Sequence, residues 1–181
     1  MTVTAFAHAK INLFLDIESR RADGYHNILS LMQRISLKDT LKVSAEPSDI
    51  KSISVSCSDK AIPCDEKNLA YKAANIYPIT AKITIDIEKN IPSSAGLAGG
   101  SADAAAVLVA LNEICENKLS TTELCALGAK LGRRAVLHYR RGLSCRGHRR
   151  YSHRDKANAE FPDSCRKKRR GNVYPRRLSR A

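Results

Sequence analysis

A cluster of glycines directly ahead of a helix is the feature that most constrains this chain. Residues 91–105 read IPSSAGLAGGSADAA, which places three of the nine glycines in 181 residues within five positions. Before this stretch, AKITIDIEKNIP alternates apolar and polar residues, which predicts a strand over 81–88 that the proline ends. After it, SADAAAVLVALNEICE is rich in helix formers and predicts a helix over 101–116.

This order of strand, glycines and helix suits an anion site. Glycine permits positive φ and close approach of a ligand to the backbone, and the helix start offers unpaired N–H groups and a positive dipole end. Together they predict a phosphate site, to which Ser94 and Ser101 would add hydroxyls for phosphate or magnesium. From these residues alone, a tight turn without a ligand is an equally good interpretation. The Walker and dinucleotide-binding motifs are excluded, because no Gly-Lys-Ser/Thr follows and the glycine spacing differs.

The rest of the first 132 residues has the pattern of an α+β domain. Apolar residues alternate with others in KINLFLDIE, which predicts a strand with one buried face. These apolar residues are Ile11, Leu13, Leu15 and Ile17. Ser120-Thr-Thr-Glu123 is a capping box ahead of a helix that Gly132 ends. The predicted strands are 4–17, 28–45 (one strand, or two broken near Lys38-Asp39), 52–56 and 81–88, and the predicted helices are 68–77, 101–116 and 121–131.

Charge divides the chain at Gly132. Residues 133–181 hold 17 of the 31 Lys+Arg and three of the 18 Asp+Glu, a net charge of +14. Residues 1–132 hold the other 14 basic and 15 acidic residues, a net charge of −1. The basic segment has scattered apolar residues and no sustained period, which predicts disorder or loose collapse. We therefore expect an incomplete domain over 1–132 and a basic tail over 133–181.

Cysteine usage and the N-terminal residues indicate a cytosolic protein. The six cysteines form no CxxC pair, and Cys115 and Cys125 fall in segments that read as helical, so reduced thiols are expected. The start, MTVTAFAHAK, lacks the apolar stretch of a signal peptide. No run of apolar residues is long enough to span a bilayer.

Three segments carry a resemblance to a known family. PSSAGLAGGSADAA resembles the phosphate-binding motif of the GHMP kinases, a superfamily of small-molecule kinases. AHAKINLFLDI and RADGYHNILSLMQRISLKD resemble motifs of one member family, the 4-diphosphocytidyl-2-C-methyl-D-erythritol kinases. The resemblance runs almost continuously over residues 5–132. It implies the N-terminal part of the GHMP kinase fold, an α+β fold shared with a ribosomal protein domain, without the second domain.

The resemblance implies an ATP-dependent kinase of non-mevalonate isoprenoid synthesis. ATP, with Mg²⁺, would phosphorylate the 2-hydroxyl of 4-diphosphocytidyl-2-C-methyl-D-erythritol. Lys10 matches the active-site lysine, whose ammonium would stabilise charge at the reacting groups. Asn12 matches a substrate contact, and Tyr25 and His26 match the cytidine pocket. The residues that match the ATP-phosphate loop are Pro92, Ser93, Ser94, Ala95, Gly96, Leu97, Ala98, Gly99, Gly100, Ser101 and Ala102.

Each of these residues has a plainer interpretation when the family is set aside. A lysine at a strand start is more often a solvated charge, and Tyr25-His26 after Asp-Gly are more often ordinary hairpin residues. Asp16 points away from the apolar stripe and is expected to be structural. Asp103, in the first turn of the helix, is expected to serve the helix dipole rather than the chemistry.

The resemblance ends at Gly132. Family members continue with a segment like GADVPFC, whose Asp is the catalytic base, whereas this chain reads GRRAVLHYRRGL and has Arg133 there. An arginine cannot orient and deprotonate the attacking hydroxyl as the Asp does. We therefore expect little or no kinase activity from this chain. We also expect apolar faces left exposed where the rest of the fold would pack.

The codons possible for the tail permit the family's segments when they are read in another frame. If each codon loses its first base and takes the first base of the next, Gly132–Leu137 permit Ala-Asp-Val-Pro-Phe-Cys. The same shift permits Gly-Gly at Arg140-Arg141, Ile-Lys-Pro at Asp155–Ala157 and Gly-Glu-Gly-Met-Ser-Thr-Pro-Asp-Ala-Tyr at Arg169–Leu178. One match would mean little, because each shifted codon has a free base, but four in order indicate a frameshift. The shift is a net gain of one base, or loss of two, at or just before codon 132.

Two other functions stay open at the level of the sequence. A tail containing CRKKRRGNVYPRRLSR would bind nucleic-acid backbones without sequence preference and with steep salt dependence. Another GHMP kinase, for homoserine, mevalonate or a sugar, would share the glycine motif. The near-neutral first 132 residues and the AKINL and DGYH motifs disfavour both.

We expect the source DNA across codons 125–181 to encode the family's segments in the shifted frame. Resequencing this region, and continuing to the next stop codon in each frame, measures this directly. DNA that cannot encode Ala-Asp-Val-Pro-Phe-Cys at these codons would exclude the frameshift hypothesis.

Overall fold

Two long strands, β1 (Thr2–Arg20) and β2 (His26–Pro47), form the antiparallel pair to which the other elements attach. The structure is a computed structural model that describes residues 1–20, 26–131, 143–146 and 149–151. β2 pairs with β1 on one side, and with β4 and β5 along successive parts of the other. The remaining strands are β3 (Ser52–Cys57), parallel to β4 (Ala81–Glu88), and β6 (Arg149–Tyr151), antiparallel to β5 (Leu143–Arg146).

Three helices pack with this sheet, and they are α1 (Leu69–Ile76), α2 (Gly99–Ile114) and α3 (Thr121–Leu131). Asn68 caps α1, its side chain accepting a hydrogen bond from the amide of Ala70 at 2.8 Å. The predicted capping box ahead of α3 is confirmed. The amide of Ser120 donates to Glu123 Oε2 at 2.7 Å, and the amide of Glu123 donates to Ser120 Oγ at 3.3 Å.

Within the described part of the chain, no helix has the length and apolarity needed to cross a membrane.

The core lies between α1 and α2 and the inward faces of β2 and β4. Burial alternates along β4, as the sequence predicts, and Ile83 and Ile85 are fully buried. Leu41 and Val43 bring the same alternation to β2, and Leu111 lies against them from α2 in one continuous cluster. Removal of this apolar surface from water fixes α2 against the sheet, and with it the position at which the chain enters the helix.

The predicted helices and strands of residues 1–131 are confirmed, with small shifts at their ends. β2 runs without a break through Lys38-Asp39. Asp39 points into the interior, where it accepts hydrogen bonds from backbone amides, so it does not turn the chain. α2 begins at Gly99, two residues before the predicted start, because Ala98 takes a left-handed conformation that leads directly into the helix.

The predicted burial of the apolar stripe on β1 is wrong for this structure. Ile11, Leu13, Leu15 and Ile17 are between 37% and 58% exposed. β4 pairs with β2 only over Thr40–Pro47, and within the described ranges no helix extends over this outer part of the β1–β2 pair. The alternation predicted the strand correctly, but the apolar residues have no layer against which to pack.

The disorder expected for the basic tail does not extend to β5 and β6. β5 pairs with Leu29–Met32 of β2, and β6 pairs with β5. Backbone groups on an open side of a strand can pair with a second strand of almost any sequence. Arg133 and the rest of the tail lie outside the described residues, so the boundary at 132–133 stays a prediction.

Replacing Leu111 with alanine is expected to lower the free energy of unfolding by about 2–5 kcal/mol, because the side chain is fully buried. Leu13→Ala is the matched control, and its 58% exposure predicts a change below about 0.5 kcal/mol. Urea unfolding followed by circular dichroism measures both. Equal losses would contradict the location of the core.

Candidate active site

The loop between β4 and α2, residues 91–98 (the glycine loop), has an unusual backbone conformation. Ser94, Gly96 and Ala98 have φ values of 61°, 74° and 63°. Positive φ costs energy for serine and alanine, and it persists only where the surrounding structure holds it. Such strain is typical of sites that bring backbone groups close to a ligand.

The two other glycines of the cluster lie in the first turn of α2 and serve a different purpose. Their φ values are not positive, so conformational freedom does not explain them. A Cβ at Gly99 would lie 3.1 Å from both Ile91 Cγ2 and Lys89 Nζ. Gly99 therefore lets the start of the helix approach the end of β4 more closely than any other residue would.

The N terminus of α2 is open to an anion. Ala98 is its N-cap, and within the described residues no side chain caps this end of the helix. The carbonyl of Ala98 accepts the first helical hydrogen bond, from the amide of Ala102 at 3.0 Å. The helix amides before Ala102 have no carbonyl one turn earlier that could accept their hydrogen bonds. A phosphate group can accept these hydrogen bonds instead.

Lys10 binds the glycine loop through both its backbone and its side chain. Its amide donates to the carbonyl of Leu97 at 3.1 Å, and Nζ donates to the carbonyl of Gly96 at 2.7 Å. The pairing register of β1 shifts between His8 and Lys10, which frees the backbone there to reach the loop. Lys10 is therefore not the freely solvated strand lysine of the plainer interpretation.

Asn12, which the resemblance implies to be a substrate contact, lies beside Lys10. Its Oδ1 is 3.4 Å from Lys10 Nζ and 3.4 Å from Ser30 Oγ. The structure thus brings Lys10 and Asn12, two residues apart, together with a loop whose Gly96 lies 86 residues beyond Lys10 in sequence. Asp16 accepts a hydrogen bond from the amide of Ile17, which agrees with a structural role.

The side chains of the predicted cytidine pocket lie outside what the structure describes. His26 begins β2 and pairs with Arg20, at one end of the β1–β2 pair. Lys10 pairs with Arg34, eight positions further along β2. Tyr25 lies outside the described residues, as does the side chain of His26, so their roles stay predictions.

A buried ion cluster that sequence reasoning missed lies under the glycine loop. Lys89 Nζ donates to Asp39 Oδ2 at 2.5 Å and to Asp103 Oδ2 at 2.9 Å. Asp39 Oδ1 also accepts from the amides of Asn90 at 2.6 Å and Ile91 at 2.8 Å. Asp103 therefore pairs with a lysine inside the fold, and the expectation that it serves the helix dipole is wrong.

Burial and the shared ammonium shift two pKa values in this cluster. Burial alone would lower the pKa of Lys89, but hydrogen bonds to Asp39 and Asp103 outweigh it and raise this pKa. Burial raises the pKa of Asp103 to about 7, which the shared ammonium offsets only in part. Asp103 Oδ1 is buried and has no hydrogen-bond partner in the described part of the chain.

A resident metal site is not evident in the described ranges. No group of three or more His, Cys, Asp or Glu side chains there could hold a metal ion. Hydroxyls of Ser94 and Ser101 flank the open helix end in sequence, which suits a cation that arrives bound to phosphates.

Comparison with known proteins decides the family. Residues 68–144 match the family model described as the GHMP kinases N terminal domain. This match spans α1, β4, the glycine loop, α2 and α3. The chain carries a GHMP kinase N-terminal domain.

Two relatives of this GHMP domain bear the same name. Over 130 residues the chain is 49% identical to a 4-diphosphocytidyl-2-C-methyl-D-erythritol kinase from Clostridium botulinum (70% of this chain, 45% of that protein). It is 48% identical, with the same coverage, to one from Caldicellulosiruptor bescii. A crystal structure of 4-(cytidine 5'-diphospho)-2C-methyl-D-erythritol kinase matches with a TM-score of 0.67 and 36% identity, over 80% of this chain and 52% of that one. The chain thus spans about half the length of the relatives it matches.

The raised pKa of Asp103 predicts that the stability of the GHMP domain depends on pH. Between pH 3.8 and about 7, the unfolded chain has lost a proton that the folded chain keeps. The free energy of unfolding should therefore fall as the pH rises through this range, by up to about 1.4 kcal/mol per pH unit, and level off above it.

The Asp103→Asn variant isolates this contribution, because it cannot titrate. Urea unfolding of both proteins from about pH 5 to about pH 8 measures the difference. The stability of the original chain should decline relative to the variant as pH rises towards 7. Parallel curves would contradict the assigned pKa.

Proposed function

We propose that this chain is the nucleotide-binding part of an ATP-dependent kinase for 4-diphosphocytidyl-2-C-methyl-D-erythritol. The observation that carries the proposal is the attachment of Lys10, by amide and ammonium, to a strained loop that leads into an uncapped helix. The names of the relatives support the choice of substrate. The reaction would place the γ-phosphoryl group of ATP on the 2-hydroxyl of that substrate.

Residues 92–102 would hold the phosphates of ATP. The positive φ values at Ser94, Gly96 and Ala98 give this segment its unusual path, and the open first turn of α2 offers N–H donors and the positive end of the helix dipole. Ser94 and Ser101 would add hydroxyls, either to phosphate oxygens or to the Mg²⁺ that accompanies them. ATP supplies the transferable phosphoryl group, and the loop holds it in a fixed position.

Lys10 would stabilise the negative charge of the transferring group. Its ammonium lies 2.7 Å from the Gly96 carbonyl, so it is held at the loop before a ligand arrives. Charge held in place beforehand needs no reorganisation when the reaction occurs. Asn12, 3.4 Å away, would contact the substrate, while Tyr25 and His26 would bind its cytidine.

Kinase turnover by this chain is expected to be low or absent. The position at which the family has its catalytic Asp holds Arg133. Without a base, the attacking hydroxyl is neither oriented nor deprotonated. We retain a frameshift near codon 132 as our explanation. Robust turnover with the cytidyl substrate would contradict this part of the proposal.

The free cysteine thiols support a reducing compartment such as the cytosol. Cys57, Cys64, Cys115 and Cys125 are all free thiols. Non-specific binding of nucleic acid by the basic tail stays a prediction, because only β5 and β6 of that segment are described.

Replacing Lys10 with methionine is expected to weaken ATP binding about tenfold, a loss of about 1.4 kcal/mol, because one charge–phosphate contact disappears. Calorimetric titration of the full chain with ATP and Mg²⁺ measures the affinity.

The matched control is Lys82→Met, on the exposed face of β4, where Lys82 pairs with Glu46 at 3.8 Å and is 64% exposed. Its ATP affinity should equal that of the original chain. An equal loss in both variants would indicate a general charge effect, and no loss in either would remove Lys10 from the site.

A further inference from the structure

Asp39 holds the entrance of the glycine loop. Its Oδ1 accepts the amides of Asn90 and Ile91, the residues at which the chain leaves β4. The carboxylate is fully buried on β2, and the carbonyl of Lys38, its neighbour on that strand, accepts a hydrogen bond from Asn90 Nδ2 at 3.2 Å. The path by which the chain enters the loop is thus fixed by the sheet.

Asp103 lies on the other side of the loop, in α2, and Lys89 joins the two. The ammonium of Lys89 bridges Asp39 Oδ2 and Asp103 Oδ2. Gly99, the first residue of α2, packs so closely against the same ammonium that a Cβ there would lie 3.1 Å from Lys89 Nζ, and a larger residue would require its neighbours to shift. One lysine side chain therefore sets the separation between the two ends of the loop.

Stability alone does not explain this cluster. The three side chains are at most 6% exposed. Transfer of each charge out of water costs several kcal/mol, and the attraction between opposite charges must first offset this cost. Apolar residues of the same volume commonly give equal or greater stability at such positions. The charged residues differ from apolar residues in that their hydrogen bonds have preferred distances and angles, which fix the positions of the bonded groups.

We propose that Lys89, Asp39 and Asp103 are positioning residues that brace the glycine loop for phosphate, without contacting the nucleotide themselves. The proposal rests on the proposed function for its ligand, ATP. The brace itself is a property of the protein without ligand. Asp103 is the most weakly held of the three residues. Its Oδ2 accepts a hydrogen bond from Lys89, whereas its Oδ1 has no hydrogen-bond partner in the described residues.

Hydrogen exchange in the Asp103→Asn variant tests the brace without any ligand. We expect the amides of Asn90, Ile91 and the glycine loop to exchange about tenfold faster than in the original chain, while those of β3 and α3 stay unchanged. The matched control is Asp86→Asn, an exposed acid of β4 whose carboxylate accepts a hydrogen bond from Ser56. It should leave the loop unaffected. Unchanged exchange in the loop, or faster exchange throughout the chain, would overturn the proposal.

Binding of ATP and of adenosine then separates positioning from general damage. The Asp103→Asn variant should bind ATP about tenfold more weakly and adenosine within about twofold of the original chain, because only ATP meets the loop with phosphates. Equal losses for both ligands would overturn the proposal. If the original chain binds no ATP, the proposed function fails, and hydrogen exchange alone decides whether the brace exists.

A second variant covers the case in which Asp103→Asn does not fold. Lys89→Met, Asp103→Leu and Asp39→Asn combined remove all three charges and fill their space, so the fold should be retained while the loop loses its brace. The same exchange pattern is expected. Failure of this triple variant to fold as well would overturn the proposal, since the cluster would then serve the fold as a whole.

Discussion

Burial of the inward faces of β2 and β4 against α2 is the interaction on which the rest of the described structure depends. Ile83, Ile85, Leu41 and Val43 have no exposed surface, and Leu111 meets them from the helix. Because α2 is fixed on the sheet, the chain that leaves β4 must reach the helix start through a short loop with both ends held. Lys10 reaches that loop because β1 pairs with β2 over the same region.

The second constraint is electrostatic. The ammonium of Lys89 is shared by the carboxylates of Asp39 and Asp103, which differ in the number of other hydrogen bonds they accept. Asp39 has two backbone amides in addition to Lys89, whereas Asp103 has the lysine as its one partner in the described residues. Burial raises the pKa of Asp103 to about 7, and its hydrogen bond to Lys89 offsets this rise only in part. Order at the loop and pH sensitivity in the core therefore have the same physical cause.

The outer part of the β1–β2 pair shows the limit of what the described residues can bury. The helix layer covers β1 up to the region of Lys10, and the apolar stripe beyond it stays exposed. A contiguous exposed apolar surface of this kind is typical of a region that contacts another part of a protein or a partner. The strands form nevertheless, because antiparallel pairing satisfies their backbone groups whether or not a layer packs above them.

The sequence by itself determined the order of helices and strands, the capping box, and the place of the glycine loop, because propensity, period and turn chemistry are local properties. Its motifs also named Lys10 and Asn12. Only the tertiary structure showed that Asp39 and Lys89 form an ion pair. The sequence did contain a signal, because each is a charged residue at a position where the alternation of its strand predicts a buried side chain. A period of two tells which residues share a face of one strand. It does not tell which strands adjoin or where the helix layer ends, so ion pairs across the core and exposure of the β1 stripe were decided by packing.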